Sequence, residues 1–264
     1  MGIGTARLLR HENTLSVAVL VLPVALWAVL RYGLHTSRFN GVWVVVVPMF
    51  GLALFKVWCR WQRERMVREA ALPNFLWRKL RETYPHLSHK DCDLVARGLR
   101  QFFLTSLRSN RQFVAMPSRV VDAMWHEFIL HTRAYKDWCD LTLGRFLHHT
   151  PAEVLGTNAK HNDGLRRAWY WACREESIDP KVPTRLPLLF ALDHKLQIPN
   201  GFHYQANCQD IARTSDAGGS DGGIYCGSSF SDGSFSSDSS DAADFGGADS
   251  SDGGGDGGGG CGGD

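Results

Sequence analysis

Four histidines lie close together between Met124 and Pro151, and imidazole is a common metal ligand. His126 and His131 belong to a segment with helical periodicity, whereas His148 and His149 follow it in a turn-like segment. Because such a segment can fold back on its helix, the four imidazoles are enough ligands for zinc or iron. Ordinary packing and capping roles are the alternative for the same residues.

Asp122 precedes His126 by four residues, so the two side chains share one face of a helix. A carboxylate there can orient an imidazole in the second shell of a metal, and a local structural hydrogen bond is the alternative. His131 lies five residues after His126, about 140° around a straight helix. The two therefore cannot chelate one ion from a straight helix, and the HExxH pattern of zinc proteases is absent.

The histidines sit on a segment whose apolar residues recur at steps of three and four. This pattern predicts one long helix from Arg119 to about Leu143, ended by Gly144. Its buried seam is predicted to contain Val121, Trp125, Phe128, Thr132, Tyr135, Cys139 and Leu143. Cys139 is accordingly predicted to be a small buried hydrophobe and not a nucleophile. The chain has no P-loop, dinucleotide fingerprint or GxSxG elbow, so its motifs indicate no particular catalytic residue.

One block of the sequence carries a family resemblance. It reads VDxxWHxxILxTxxYxxWC from Val121 to Cys139 and continues as GxFLHHxP from Gly144 to Pro151. The block resembles a conserved block of bacterial membrane proteins of unknown function, which are distantly similar to the plant glycine-rich domain proteins. The resemblance implies a helical domain built around the Trp-His pair, and it implies no activity.

Two apolar runs precede this domain. Residues 14–30 contain no charge over 17 positions, and residues 41–55 contain none over 15. We predict a transmembrane hairpin over residues 14–58, with spans at about 14–30 and 41–58, and hence the lipid bilayer as a partner. Basic residues after the second run predict that both termini, including residues 1–13, are cytoplasmic. Two buried core helices are the alternative.

The rest of the body is predicted to be all-α. Residues 59–72 are predicted to form a basic juxtamembrane helix, and residues 73–208 a compact cytoplasmic helical domain. Ser88 and Asp91 form a capping-box pattern that opens a helix running to about Leu107. Further helices are predicted at 165–176 and within 186–198. The fold class is therefore an all-α chain, consisting of a two-helix transmembrane hairpin, a helical domain and a tail.

The C-terminal segment, residues 209–264, is predicted to be a disordered tail. Residues 214–264 contain 17 Gly, 12 Ser and 10 Asp, which leaves little apolar surface to offset the entropy of ordering. The tail also hides the charge of the body, since the net charge is +2 overall but +12 for residues 1–213. Much of that positive charge lies beside the apolar runs, so nucleic acid is not a predicted partner.

Two classes of function remain open from the sequence. The first is a membrane-anchored cytoplasmic binding or scaffold module that recruits a protein partner, which the absence of a complete catalytic signature favours. The second is a metal-binding protein or metal-dependent enzyme that uses the histidine cluster. The seven cysteines include no CxxC pair, so they indicate neither a zinc ribbon nor a disulfide framework.

Overall fold

The computed structural model describes Leu9, residues 12–29, 41–149, 158–206 and 224–226, and Phe230. Eight helices make up most of these residues. They are α1 (Glu12–Ala28), α2 (Gly41–Glu69), α3 (Phe75–Thr83), α4 (His89–Arg108), α5 (Arg119–Leu130), α6 (Thr132–Thr142), α7 (Asn158–Glu175) and α8 (Leu188–Lys195). The predicted all-α character is confirmed for this part of the chain.

Helix α4 is the centre of the domain, and α2, α3, α5, α7 and α8 all pack against it. It begins at the predicted capping box, in which the Ser88 hydroxyl accepts from the Asp91 N–H and the Asp91 carboxylate accepts from the Ser88 N–H. Its apolar residues reach around most of the helix, and Leu99, Phe102 and Phe103 are almost completely buried. Burial on several sides explains how one helix can contact five others.

The long helix predicted from Arg119 to Leu143 is wrong, because it breaks at His131. The backbone of His131 has φ −88° and ψ 62°, outside the helical region, and this residue separates α5 from α6. The His131 ring stacks on Phe75 of α3, with 3.8 Å between the ring centroids. The break therefore coincides with a contact between His131 and another helix. The apolar residues keep their spacing of three and four across it, so the sequence pattern does not show the break.

The predicted transmembrane hairpin over 14–58 is also wrong, and with it the membrane location and the cytoplasmic placement of both termini. In the described segments no helix is both long enough and apolar enough to cross a membrane. Helix α1 has 17 residues, about 26 Å, and the uncharged part of α2 ends before Lys56, about 22 Å from its start. Both fall short of the ~30 Å of a hydrocarbon core. They are not core helices either, since Leu22 is 67% exposed and Val47 60%.

Helix α2 continues past its apolar half and joins the domain through ion pairs, so residues 59–69, predicted as a juxtamembrane helix, are its final turns. Glu64 accepts from Arg108 of α4 at 2.7 Å. Arg68 donates to Glu175 of α7 at 2.9 Å. Arg63 donates to Glu12 of α1 at 2.8 Å. These contacts tie α1 and the second half of α2 to the helical domain.

Two short strands extend the domain beyond its predicted end. β1 (His203–Gln205) pairs in parallel with β2 (Ile224–Cys226), with Tyr204 opposite Tyr225. Phe230 is 4% exposed and packs near Trp169, with 5.9 Å between the ring centroids. The predicted tail from 209 thus contacts the domain at these residues, and its remaining residues lie outside the described part of the chain.

Candidate metal centre

Asp122, His126 and His149 come together at the surface of α5. One oxygen of the Asp122 carboxylate lies 3.1 Å from Nε2 of His149, and the other lies 3.7 Å from Nδ1 of His126. The two imidazole rings are 4.3 Å apart between centroids. One ligand atom from each residue can be chosen so that all three lie within 4.8 Å of one another.

Helix α5 and the segment after α6 each supply part of this cluster. Asp122 and His126 are one helical turn apart, as the sequence predicts. Gly144, with φ +69°, ends α6, and its N–H donates to the Cys139 carbonyl at 2.9 Å. The left-handed backbone there favours glycine and turns the chain back toward α5. Five residues later, His149 reaches Asp122.

A chain of buried hydrogen bonds fixes the returning segment. The Trp125 indole N–H donates to the Tyr135 hydroxyl at 3.1 Å, and that hydroxyl donates to the Leu147 carbonyl at 2.6 Å. Tyr135 is completely buried, and burial raises the pKa of its phenol far above the usual value. The phenol therefore remains a donor, and it holds the backbone two residues before His149. The Trp125 ring also packs beside His149, at 4.9 Å between centroids.

The start of α5 is held by Asp193 of α8, which is not among the site residues predicted from the sequence. Its buried carboxylate accepts from the Ser118 hydroxyl and the Arg119 N–H at 2.7 Å, and from the Val120 N–H at 3.2 Å. It also accepts from the Phe202 N–H at 2.9 Å. A carboxylate at a helix N-terminus satisfies unpaired N–H groups and matches the helix dipole. No local pattern indicates it, because its partners lie 9 to 75 residues away.

The other two predicted ligands lie outside the cluster. His131 is stacked on Phe75, and its Nδ1 is 3.0 Å from the Glu127 carbonyl oxygen. His148 is exposed, with its ring 4.8 Å from that of Phe146. Two of the four predicted imidazoles, His126 and His149, thus meet at one place. Asp122, predicted only to orient an imidazole, places one carboxylate oxygen near each of these two rings.

Two further side chains near the cluster have altered acidity. Burial, followed by the negative charges of Asp193 and Asp122, raises the pKa of the half-buried Tyr84 phenol. Burial likewise raises the pKa of the Cys139 thiol, which is completely inaccessible to solvent. The prediction that Cys139 is a buried apolar residue is confirmed. Tyr84 is a neutral hydroxyl within electrostatic reach of Asp122, and no sequence pattern indicated it.

Comparison with known proteins places the domain in a family. The model of the UCP032817-like family matches residues 62–230, more than half of the chain. The chain belongs to the UCP032817-like family. The UCP032817-like region contains all three residues of the cluster and ends at the buried Phe230, while α1 lies outside it. No curated protein and no solved structure matches the chain. The resemblance to plant glycine-rich domain proteins stays a prediction.

Proposed function

We propose that the protein binds one transition-metal ion, Zn²⁺, through Asp122, His126 and His149. The observation that carries the proposal is the convergence of two imidazoles on one carboxylate, from two separate elements. Histidine nitrogen and carboxylate oxygen are both ordinary zinc ligands. The helical spacing of Asp122 and His126 explains why their side chains are 3.7 Å apart. It does not explain why His149, from a different element, lies 3.1 Å from the same carboxylate.

The spacing of the donor atoms suits such an ion. Ligand atoms around a tetrahedral Zn²⁺, at bonds of about 2.0–2.1 Å, are separated from one another by about 3.3 Å. One Asp122 oxygen lies 3.1 Å from His149 Nε2 and the other lies 3.7 Å from His126 Nδ1, and one atom of each residue can be chosen so that all three lie within 4.8 Å of one another. Rotation of the side chains would bring one Asp122 oxygen and both imidazoles to the shorter spacing around the ion. The chain of Trp125, Tyr135 and Leu147 would act as the outer support that metal ligands require.

Three protein ligands leave one position of a tetrahedral ion open. The His126 side chain is 52% exposed, so that position faces solvent. A closed structural zinc site has four protein ligands, whereas catalytic sites keep a place for water or substrate. We therefore infer that bound Zn²⁺ would carry a water molecule that a substrate can replace. Two histidines and one carboxylate also form the facial set of iron(II) enzymes, so Fe²⁺ belongs in the same experiment.

The competing proposal is a binding or scaffold module with a protein partner. It accounts for the absence of a catalytic signature, but it gives no reason for the carboxylate and two imidazoles to meet. The metal-binding proposal explains that convergence and also the buried hydrogen bonds that hold it. We therefore prefer it.

Isothermal titration of the full-length, metal-stripped protein with Zn²⁺ or Fe²⁺ tests the proposal. The wild type is expected to bind one ion per chain. Each of three variants removes one ligand: His126→Ala, His149→Ala and Asp122→Asn. Each should weaken binding by more than the roughly 10–100-fold that follows from losing a residue that only supports a ligand. The preferred ion is the one that binds more tightly at equal concentration.

His131→Ala and His148→Ala are matched controls, because each removes one imidazole from the same stretch but none from the cluster. Both should bind the ion as the wild type does. Equal losses in the controls, or full binding by His149→Ala and Asp122→Asn, would contradict the proposal. A metal-free wild type at saturating ion would favour the scaffold module instead.

A further inference from the structure

A cavity separate from the histidine cluster is lined by several basic side chains. The cavity has a volume of about 670 Å³ and lies between α1, α2, the turn after α4 and the end of α6. Its basic lining residues are Lys56, Arg60, Arg63, Arg111, Lys136 and Arg145. Among the described residues, three carboxylates line it, those of Glu12, Asp137 and Asp140. Two of the three are already engaged, Glu12 with Arg63 and Asp140 with Lys136, so the described lining of the cavity has a net positive charge.

Arg63 is the most deeply buried of these cations. Its side chain is 9% exposed, and its Nε and Nη2 donate to Glu12, with Nη2 also reaching the Leu9 carbonyl at 3.0 Å. Its Nη1 is buried and has no hydrogen-bond partner in the described part of the chain. Gly144 allows this position, because a Cβ there would lie 2.4 Å from the guanidinium carbon. A buried, charged donor without an acceptor is costly, and it points to a ligand that supplies one.

Arg111 and Arg145 add two further unneutralised charges. Among the described residues neither has a hydrogen-bond or ion-pair partner. Burial, together with the neighbouring positive charge of Arg111, lowers the pKa of Arg145. Asn110 and Arg111 also hold left-handed backbone conformations, with φ 49° and 70°. Such strain in non-glycine residues is uncommon and is concentrated at functional sites.

We propose that this cavity binds the phosphate group of a small phosphorylated molecule. Guanidinium groups present paired N–H donors that match phosphate oxygens, and Arg111 and Arg145 can supply such pairs. Arg63 adds its remaining donor, Nη1, from a third part of the chain. An oxyanion would accept from Arg63 Nη1 and separate the like charges of Arg111 and Arg145. The volume is in the range of small-molecule sites and exceeds what phosphate alone fills, so the rest of the ligand has room.

Calorimetric titration of the full-length protein with inorganic pyrophosphate tests this site. The wild type is expected to show saturable binding of one pyrophosphate per chain. Arg145→Gln and Arg111→Gln should each weaken it about 10-fold or more, the effect of one charged hydrogen bond. Arg111 is exposed, so its replacement leaves folding intact even if Arg145→Gln were to destabilise the domain.

Two control variants make the result specific. Arg97→Gln removes an exposed arginine that lines a different basic cavity, beside α8, and should bind as the wild type does. His149→Ala disables the proposed metal centre and should also keep the wild-type affinity. No saturable binding, unchanged affinity in both arginine variants, or an equal loss in either control would overturn the proposal.

Discussion

The Tyr135 hydroxyl links the helical core to the segment that presents His149. In Tyr135→Phe the Leu147 carbonyl loses its donor, and the buried Trp125 indole N–H loses its acceptor. We expect a loss of about 1–3 kcal/mol in the free energy of unfolding, as for other unsatisfied buried groups. We also expect the Zn²⁺ dissociation constant to rise about 10–100-fold, because an outer support of the ligand is gone. Urea unfolding and zinc calorimetry measure the two effects.

Thr142→Val is the matched control for this prediction. It removes another buried hydroxyl from α6, one that donates only to the Trp138 carbonyl within the helix. Its zinc affinity should remain that of the wild type even if its stability falls. Should Tyr135→Phe keep wild-type zinc affinity, the hydrogen-bond chain does not position His149.

At the residue scale, the pairing of two of the three cluster residues could be predicted, and the position of the third could not. Asp122 and His126 were paired correctly, because a spacing of four residues on a helix fixes their proximity. His149 could not be distinguished from His148 or His131, since its position depends on a turn at Gly144 and on contacts made by Tyr135. Those contacts join residues 10 and 12 positions apart through side chains, and no periodicity reports them.

At the scale of the element, α5 depends on a cap that comes from α8. In Asp193→Asn the side chain keeps one acceptor oxygen and brings an amide group against N–H and O–H donors. We expect the free energy of unfolding to fall by about 1–3 kcal/mol, because several buried donors lose their acceptor. Thermal and urea unfolding of the full-length protein measure it.

Asp91→Asn serves for comparison, because Asp91 caps α4 at a less enclosed position of the chain. Its capping contacts are local, so the loss there should be no more than about 1 kcal/mol. A smaller effect for Asp193→Asn than for Asp91→Asn would contradict the view that Asp193 anchors the start of α5.

Ion pairs of Glu175 with Arg68 and Arg108 form a joint between α2, α4 and α7. This joint gives a prediction about stability in acid. Burial acts to raise the pKa of Glu175, but its bonds to Arg68 and Arg108 outweigh burial and hold that pKa below its ordinary value of 4.5. A lowered pKa in the folded state stabilises the fold above pH 4.5, and this contribution disappears as the pH falls through the lowered value. The difference in unfolding free energy between wild type and Glu175→Gln should thus shrink below pH 4.5.

Urea unfolding across the acid range measures this difference. Asp137→Asn, at an exposed position of α6 away from the Arg68, Arg108 and Glu175 ion pairs, is the control and should not reproduce the acid-dependent change of Glu175→Gln. If the Glu175→Gln difference stays constant down to the lowest pH at which the protein folds, the ion pairs do not stabilise the joint.

Elements were predictable where local signals set them. The capping box at Ser88 follows from two residues, Ser88 and Asp91, that lie within a few positions of the helix boundary. The break at His131 was not predictable, because the hydrophobic periodicity continues across it. The contact found at the break is the stacking of His131 on Phe75, which lies on another helix. The β1–β2 pairing was missed for a similar reason, since each strand has three residues and is too short to show alternation.

At the scale of the whole molecule, composition separated the chain into parts but misjudged two of them. The absence of charge predicts a membrane span for each apolar run, although 17 and 15 residues give less than the required length. The low apolar content of the C-terminal segment predicts that the chain leaves the domain at residue 209, yet Phe230 is buried beside Trp169. A single aromatic residue in a polar stretch can be anchored by a pocket that composition does not reveal.

The most direct test of the metal centre is a crystal structure of the zinc-loaded protein, with anomalous data collected at the zinc edge. The anomalous peak should lie about 2.0–2.2 Å from one ligand atom each of Asp122, His126 and His149. A peak at other residues, or none here while His149 Nε2 stays bonded to Asp122 in saturating zinc, would contradict the account.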